Sequence, residues 1–202
     1  METTSARPPG LRAITREAVR TRIADAAIEL FAERGFDQVT VEQIAGHVGI
    51  SARSFNRYFP TKEDAVLGDA GRWGEYVRDR LADRPAEEPA WDALHASFQA
   101  LLRLSENHGE QQKRVMRLLS STPALRARNL EKHLLWTELL TPLVADRLHG
   151  RDRTFQAEVL VQAGLACFDV ALTRWARPDE KQDPATLLTS AFDAVTTLTT
   201  SN

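Results

Sequence analysis

The chain has 202 residues, a formal net charge of −2 and 43% apolar residues. This composition suits one compact globular domain, or a small head on a larger body. No run of 18 or more consecutive apolar residues occurs, so no segment reads as a membrane span. Residues 1–10 lack the apolar stretch of a secretory signal. A single cysteine, Cys167, has no partner for an internal disulfide and sits in an apolar run, where it reads as a small buried hydrophobe. These features together lead to an expectation of a bacterial cytoplasmic protein. Charge is unevenly divided: residues 1–62 carry nine Arg/Lys against seven Asp/Glu, and the remainder seventeen against twenty-one. A mildly basic first part and an acidic second part would orient the first towards a polyanion.

Residues 1–13 are polar and contain Pro8, Pro9 and Gly10, the pattern of a disordered arm. Arg7 and Arg12 in it are either cations for a minor groove or part of a solvated tail. A long helix is predicted over Thr15–Arg34, with Val19, Ile23, Ala26, Ala27, Leu30 and Phe31 in a 3.6-residue rhythm. Gly35 ends it and Phe36 tucks back. Thr15, Arg16 and Arg20 lie near its start, within reach of a phosphate.

Residues 40–62 then read as two short helices around a tight turn. Thr40 with Gln43 forms a capping box, so a helix begins near Val41 and buries Val41, Ile44, Ala45 and Val48. Gly49 closes it. Ser51 is a new N-cap with Ser54 three residues on, and the second helix is predicted over Ala52–Tyr58. Ile50, Phe55 and Phe59 anchor it, leaving Ala52, Arg53, Ser54, Asn56 and Arg57 outward. Such a face suits a DNA groove. Arginine pairs bidentately with guanine and asparagine with adenine, which gives base-reading roles to Arg53 and Asn56. Thr40, Ser51, Ser54, Arg57, Tyr58 and Lys62 complete the expected DNA-facing set, with Ser54, Tyr58 and Lys62 at phosphates. On spacing alone, a helical hairpin inside an ordinary bundle remains open beside a helix–turn–helix.

The stretch Ala27–Phe36, followed by Thr40–Val41, Ile44–Ala45, Val48–Ser51, Phe55, Tyr58–Phe59 and Lys62–Glu63, resembles the TetR family of bacterial transcriptional regulators over about residues 16–66. The resemblance implies an all-α protein: a three-helix DNA-binding head with a helix–turn–helix, on a larger helical body that binds a ligand and dimerises. The expected division is an arm over 1–13, a DNA-binding domain over 14–60 and a body over 61–202. Asn56 departs from the family pattern, which often has a tyrosine there, so the operator read may differ from the commoner ones.

Within the body, Thr61 with Asp64 caps a helix predicted to reach about Asp83 and to link head and body. A break follows over residues 84–89. Helices are then expected over Trp91–Asn107, Gln111–Ser120, Pro123–His149, Thr154–Ala176 and Pro184–Thr199, with Pro142 kinking or breaking the third of these. The Thr154–Ala176 helix is apolar on most faces, more than one small chain can cover. The last two helices are therefore expected to form a four-helix homodimer seam.

Trp73, Trp91, Phe98, Met116, Trp136 and Phe168 are large groups placed to face inward. They serve either as ordinary core or as the lining of a pocket for a small apolar or amphipathic effector. His133, with Glu138 or Arg128, is placed to orient a polar head group or to form a surface ion pair. The segment from Val115 to Arg147 resembles an actinobacterial subgroup associated with long acyl thioesters, which makes such a thioester a candidate effector. A double-stranded DNA operator is the other expected partner, with no membrane. No catalytic, metal or cofactor site is expected. The five histidines make no His-x-x-x-His pair. Gly71–Gly74 lacks a Gly-Lys-Ser ending, and no Gly-x-Ser-x-Gly elbow occurs.

Overall fold

The computed structural model describes residues 10–68, 70–104 and 109–200. These form ten α-helices and one 3-10 turn, with no strand among the described residues. The chain divides into two compact units, one ending at Gly68 and the other beginning at Asp69.

The first unit contains α1 (Leu11–Arg34), the 3-10 turn (Phe36–Gln38), α2 (Val41–Val48), α3 (Ala52–Asn56) and α4 (Lys62–Leu67). Helix α1 begins one turn earlier than predicted. Arg12 therefore sits on a helix and not in an arm, while Arg7 lies outside the described residues. The core joins Ile23, Ala27, Leu30 and Phe31 to Phe36, Ile44, Phe55 and Phe59, all buried. Burying each such large side chain contributes about 1.5–3 kcal/mol. Both predicted capping boxes form, at Thr40 with Gln43 and at Thr61 with Asp64. Gly49 takes the left-handed φ of 77° that closes α2. Helix α3 is shorter than expected, and Tyr58 and Phe59 follow it in turns that both return to the Phe55 carbonyl.

The helix expected from Thr61 to Asp83 is two helices. Gly68, with φ 71° and ψ −147°, lies in a region essentially closed to other residues and ends α4. Because α4 packs against α1, the boundary expected after Pro60 moves to Gly68.

Lys62 is also placed differently from its expected position at a phosphate. Its ammonium donates to the carbonyls of Phe36 at 2.8 Å and Val39 at 3.0 Å. It also lies 4.2 Å from the centre of the Phe36 ring. Two of its three protons are thereby committed to the backbone around the 3-10 turn, so Lys62 ties α4 to the segment leading into α2.

The second unit contains α5 (Ala70–Ala82), α6 (Ala90–Arg103), α7 (Gly109–Ser121), α8 (Pro123–Ala145), α9 (Arg153–Trp175) and α10 (Pro184–Thr200). Helix α6 ends four residues short of the predicted Asn107, which lies outside the described residues. Helix α8 passes through Pro142 and ends at Ala145, not His149. Pro142 and Glu138 are both exposed, so the carbonyl that proline leaves without a donor lies on a solvated face. Helix α5 packs on α6 and α8, and α9 packs on α8 and α10. Helix α9 is long and apolar enough to cross a bilayer by length and composition; here one of its faces is buried in the helical core. Within that core Cys167 is buried, donating weakly to the Ala191 carbonyl at 3.6 Å, and burial raises its thiol pKa.

Two details hold this unit together. A Cβ on Gly74 would lie 2.8 Å from the Trp136 indole, so α5 and α8 approach closely only because residue 74 has no side chain. Arg147, just beyond α8, donates to the carbonyls of Leu81 at 2.8 Å and Arg84 at 3.0 Å, and also to Pro85. It thereby satisfies acceptors at the open end of α5.

Lys62→Met is expected to lower the unfolding free energy by about 1.5–3 kcal/mol, the scale of hydrogen bonds to a charged group. The salt dependence of DNA binding should stay unchanged. A slope reduced by about one unit would instead place the ammonium on a phosphate.

Candidate nucleic-acid interface

Helix α3 is only five residues long and cannot hold itself together by internal hydrogen bonds. It is held from three directions. At its start, the Ser51 hydroxyl accepts from the Ser54 backbone N–H at 3.1 Å, and the two hydroxyls lie 3.0 Å apart. Beneath it, Phe55 and Phe59 are buried with ring centres 5.7 Å apart. Past its end, Arg20 of α1 places its guanidinium 4.6 Å from the Phe59 ring and donates to the Tyr58 carbonyl at 3.3 Å. Arg20 therefore braces α3. Its position on α1 gave no sign of this, because the contact spans 38 residues.

These supports fix which side chains face out. Arg53, Asn56 and Arg57 are exposed, while Ala52, Ser54 and Tyr58 are half-buried. Ser51 is exposed but engaged in the cap. Thr40 is exposed too, with its hydroxyl committed to the α2 cap. The neighbouring Glu42 carboxyl is held below its ordinary pKa, first by its own backbone N–H and then by Thr40. A carboxylate beside Thr40 makes that end of α2 less hospitable to a phosphate than α3 is.

A second feature was not expected from the sequence. Leu11, Arg12, Thr15, Arg16, Arg57 and Tyr58 line an open groove of about 490 Å³. The guanidiniums of Arg16 and Arg57 lie 6.0 and 5.8 Å from the Tyr58 ring centre. Three arginines on a groove beside the α3 face suit a polyanion that extends past α3.

Five of the six candidate ligand residues lie in or against one core, and Met116 stands apart from it. Phe98, Trp136 and Phe168 are buried and mutually packed, with ring centres 5.2–6.5 Å apart. Half-buried Trp91 lies against Phe192 at 4.3 Å, and Phe192 in turn touches Phe98. Trp73 is half-buried against the same core. Met116 lies on α7, a helix without a fully buried side chain. The polar partners expected for His133 are replaced. Arg128 pairs with Glu131, Glu138 is exposed, and His133 instead meets Asp169 of α9. No metal-binding cluster of three or more His, Cys, Asp or Glu occurs among the described residues.

A capped, doubly anchored short helix with arginine and asparagine outward, preceded by a glycine-closed helix, has the geometry of a helix–turn–helix reader. Known proteins agree. Residues 23–67 match the family model described as bacterial regulatory proteins, tetR family, and residues 88–199 match that of the MftR C-terminal domain. A protein of Mycobacterium tuberculosis named as the mycofactocin biosynthesis transcriptional regulator MftR is 31% identical over 86% of this chain and 87% of its own length. The transcriptional regulator TcmR of Streptomyces glaucescens is 32% identical over 69% of this chain and 64% of its length. Among solved structures, the transcriptional repressor FadR of Thermus thermophilus, in complex with lauroyl-CoA, superposes with a TM-score of 0.55 at 26% identity, covering 88% of this chain and 93% of FadR. From the matched family models and the 31% identical relative, the chain belongs to the TetR family of bacterial transcriptional regulators.

Proposed function

We propose that this protein is a homodimeric repressor that α3 docks into the major groove of an operator near its own gene and that an amphipathic effector releases. The observation that carries the reading is the α3 face, on which Arg53, Asn56 and Arg57 are exposed while Phe55 and Phe59 are buried beneath them. Arg53 reads guanine and Asn56 reads adenine. Ser54, Arg57 and Tyr58, with Arg12 and Arg16 of the groove, hold phosphates.

The effector reading is supported by the lauroyl-CoA complex of the FadR structure and by the aromatic centre of the body. A long acyl thioester fits both. An effector releases DNA only in so far as it binds the released conformation more tightly. A nearly complete switch from 1:99 to 99:1 requires a differential of about 10⁴.

Dimerisation through α9 and α10 is supported by one face of α9, where Phe155, Val159 and Val170 are 68%, 52% and 62% exposed. Large apolar groups at these spacings fall on one helical stripe, which a second copy would cover. Two copies then present two α3 helices to half-sites about 34 Å apart, or further if two dimers share an operator.

Binding to the DNA flanking the gene, compared with unrelated DNA at several salt concentrations, tests the reading. A preference of about 10³ or more with a dyad-symmetric footprint is expected; equal binding to both would leave a helical small-molecule binder without specific DNA recognition. Arg53→Ala should cost about 1–3 kcal/mol and relax preference at one base position. Uniform loss on every sequence would remove Arg53 from base reading. Phe155→Glu combined with Val170→Glu should yield monomers in analytical ultracentrifugation and weaken operator binding, whereas an intact dimer would move the seam elsewhere.

A further inference from the structure

Between α8 and α9 lies a polar cluster inside an otherwise apolar layer. Asn129 donates from Nδ2 to Asp169 Oδ2 at 3.1 Å. His133 Nε2 lies 3.3 Å from Asp169 Oδ1 but is too far off line to share a proton, and it has no hydrogen-bond partner. Asn129 Oδ1 is likewise buried without one. Next to them, Lys132 is half-buried with its ammonium 5.0 Å from the centre of the Trp136 ring. No ion pair or hydrogen bond reaches Lys132 among the described residues. Asp169 acts on it only through its charge, while burial lowers its pKa.

An arrangement of this kind weakens the folded state. A half-buried cation without an ion pair, and buried amide and imidazole atoms without hydrogen-bond partners, each oppose folding. An aliphatic residue of the same length at position 132 would pack on Trp136 without that cost. Local disagreement between polar groups and their surroundings is characteristic of functional sites. Trp136 also joins the cluster to Phe98 and Phe168, so apolar surface adjoins the unfilled donors.

We propose that Lys132 and His133 anchor the head of the effector, a molecule with an apolar chain ending in an electron-rich oxygen, either a carboxylate or a thioester carbonyl. This rests on the ligand-responsive reading above. The ammonium and imidazole donate to that oxygen, the chain lies towards the Trp136–Phe98–Phe168 rings, and Asp169 is the positioning residue, holding Asn129 beside them. Asp169 also carries a negative charge next to the anchored oxygen. Its replacement by a neutral isostere should therefore strengthen binding, the opposite of what a site for a cation would show.

The test titrates the full-length protein with dodecanoate, dodecanoyl-CoA and coenzyme A alone by calorimetry, for the wild type, Lys132→Met and Asp169→Asn. Thermal unfolding without ligand and release of operator DNA are measured alongside. Wild-type binding of dodecanoate or dodecanoyl-CoA, but not of coenzyme A, is expected, and the better of the two identifies the natural head group. Lys132→Met should weaken that binding at least tenfold while leaving Tm equal or a few degrees higher, and Asp169→Asn should tighten it severalfold. Unchanged affinity in Lys132→Met, weaker binding in Asp169→Asn, or no wild-type binding of either chain would overturn the anchor. So would a fall in the Tm of Lys132→Met, which would make the cation a structural group. The regulator reading fails separately. Lys132-dependent binding with no effect on DNA would leave the anchor standing and remove ligand control. Undiminished release of DNA from Lys132→Met by dodecanoyl-CoA would keep that control and remove the anchor.

Discussion

Helix ends leave backbone carbonyls without intrahelical donors, and a protein built from short helices has many ends. This chain meets that constraint repeatedly with long cationic side chains that reach across from another element. Lys62 serves the carbonyls of Phe36 and Val39, Arg20 that of Tyr58, and Arg147 those at the end of α5. Arg117 of α7 donates to Ala176 just beyond α9 at 3.0 Å. In each case one residue donates to backbone carbonyls of another segment and fastens two segments that are distant in sequence. Helix α3 depends on this most, because five residues have no helical interior of their own.

That dependence also decides what could be read from the sequence. Capping is local, so Thr40 with Gln43, Ser51 with Ser54 and Thr61 with Asp64 were legible from three-residue spacings, as were the buried Phe55 and Phe59. The cross-element ties were not. Lys62 looked like a phosphate ligand because it follows the reading helix, and nothing in its neighbours showed that two carbonyls more than twenty residues away would occupy it. Arg20 looked like one more cation within reach of a phosphate, beside Thr15 and Arg16. The break at Gly68 was missed for a related reason: a helical apolar rhythm runs across it, and one glycine at an unusual ψ leaves little trace in a periodicity.

In the body, the pattern identified the large apolar groups but not their grouping. Phe98, Trp136 and Phe168 form one packed centre, while Met116 stands apart on a helix without a fully buried residue. His133 stood out as a possible polar anchor, yet the partners nearest in sequence, Arg128 and Glu138, were the wrong ones. The true neighbour, Asp169, lies on the next helix. A side chain's neighbours across an interface are set by the relative rotation of two helices, which a single-sequence rhythm does not fix.

The placement of Cys167 has a practical consequence. Its thiol is buried and disfavours ionisation, and the thiolate is the species that reacts with maleimides and iodoacetamides. The native chain is thus already close to a cysteine-free background for labelling. A single cysteine engineered onto a solvent-facing position would take up a fluorophore or spin label selectively. Distances between the two copies of a dimer could then be followed with and without effector, without altering the packing between α9 and α10.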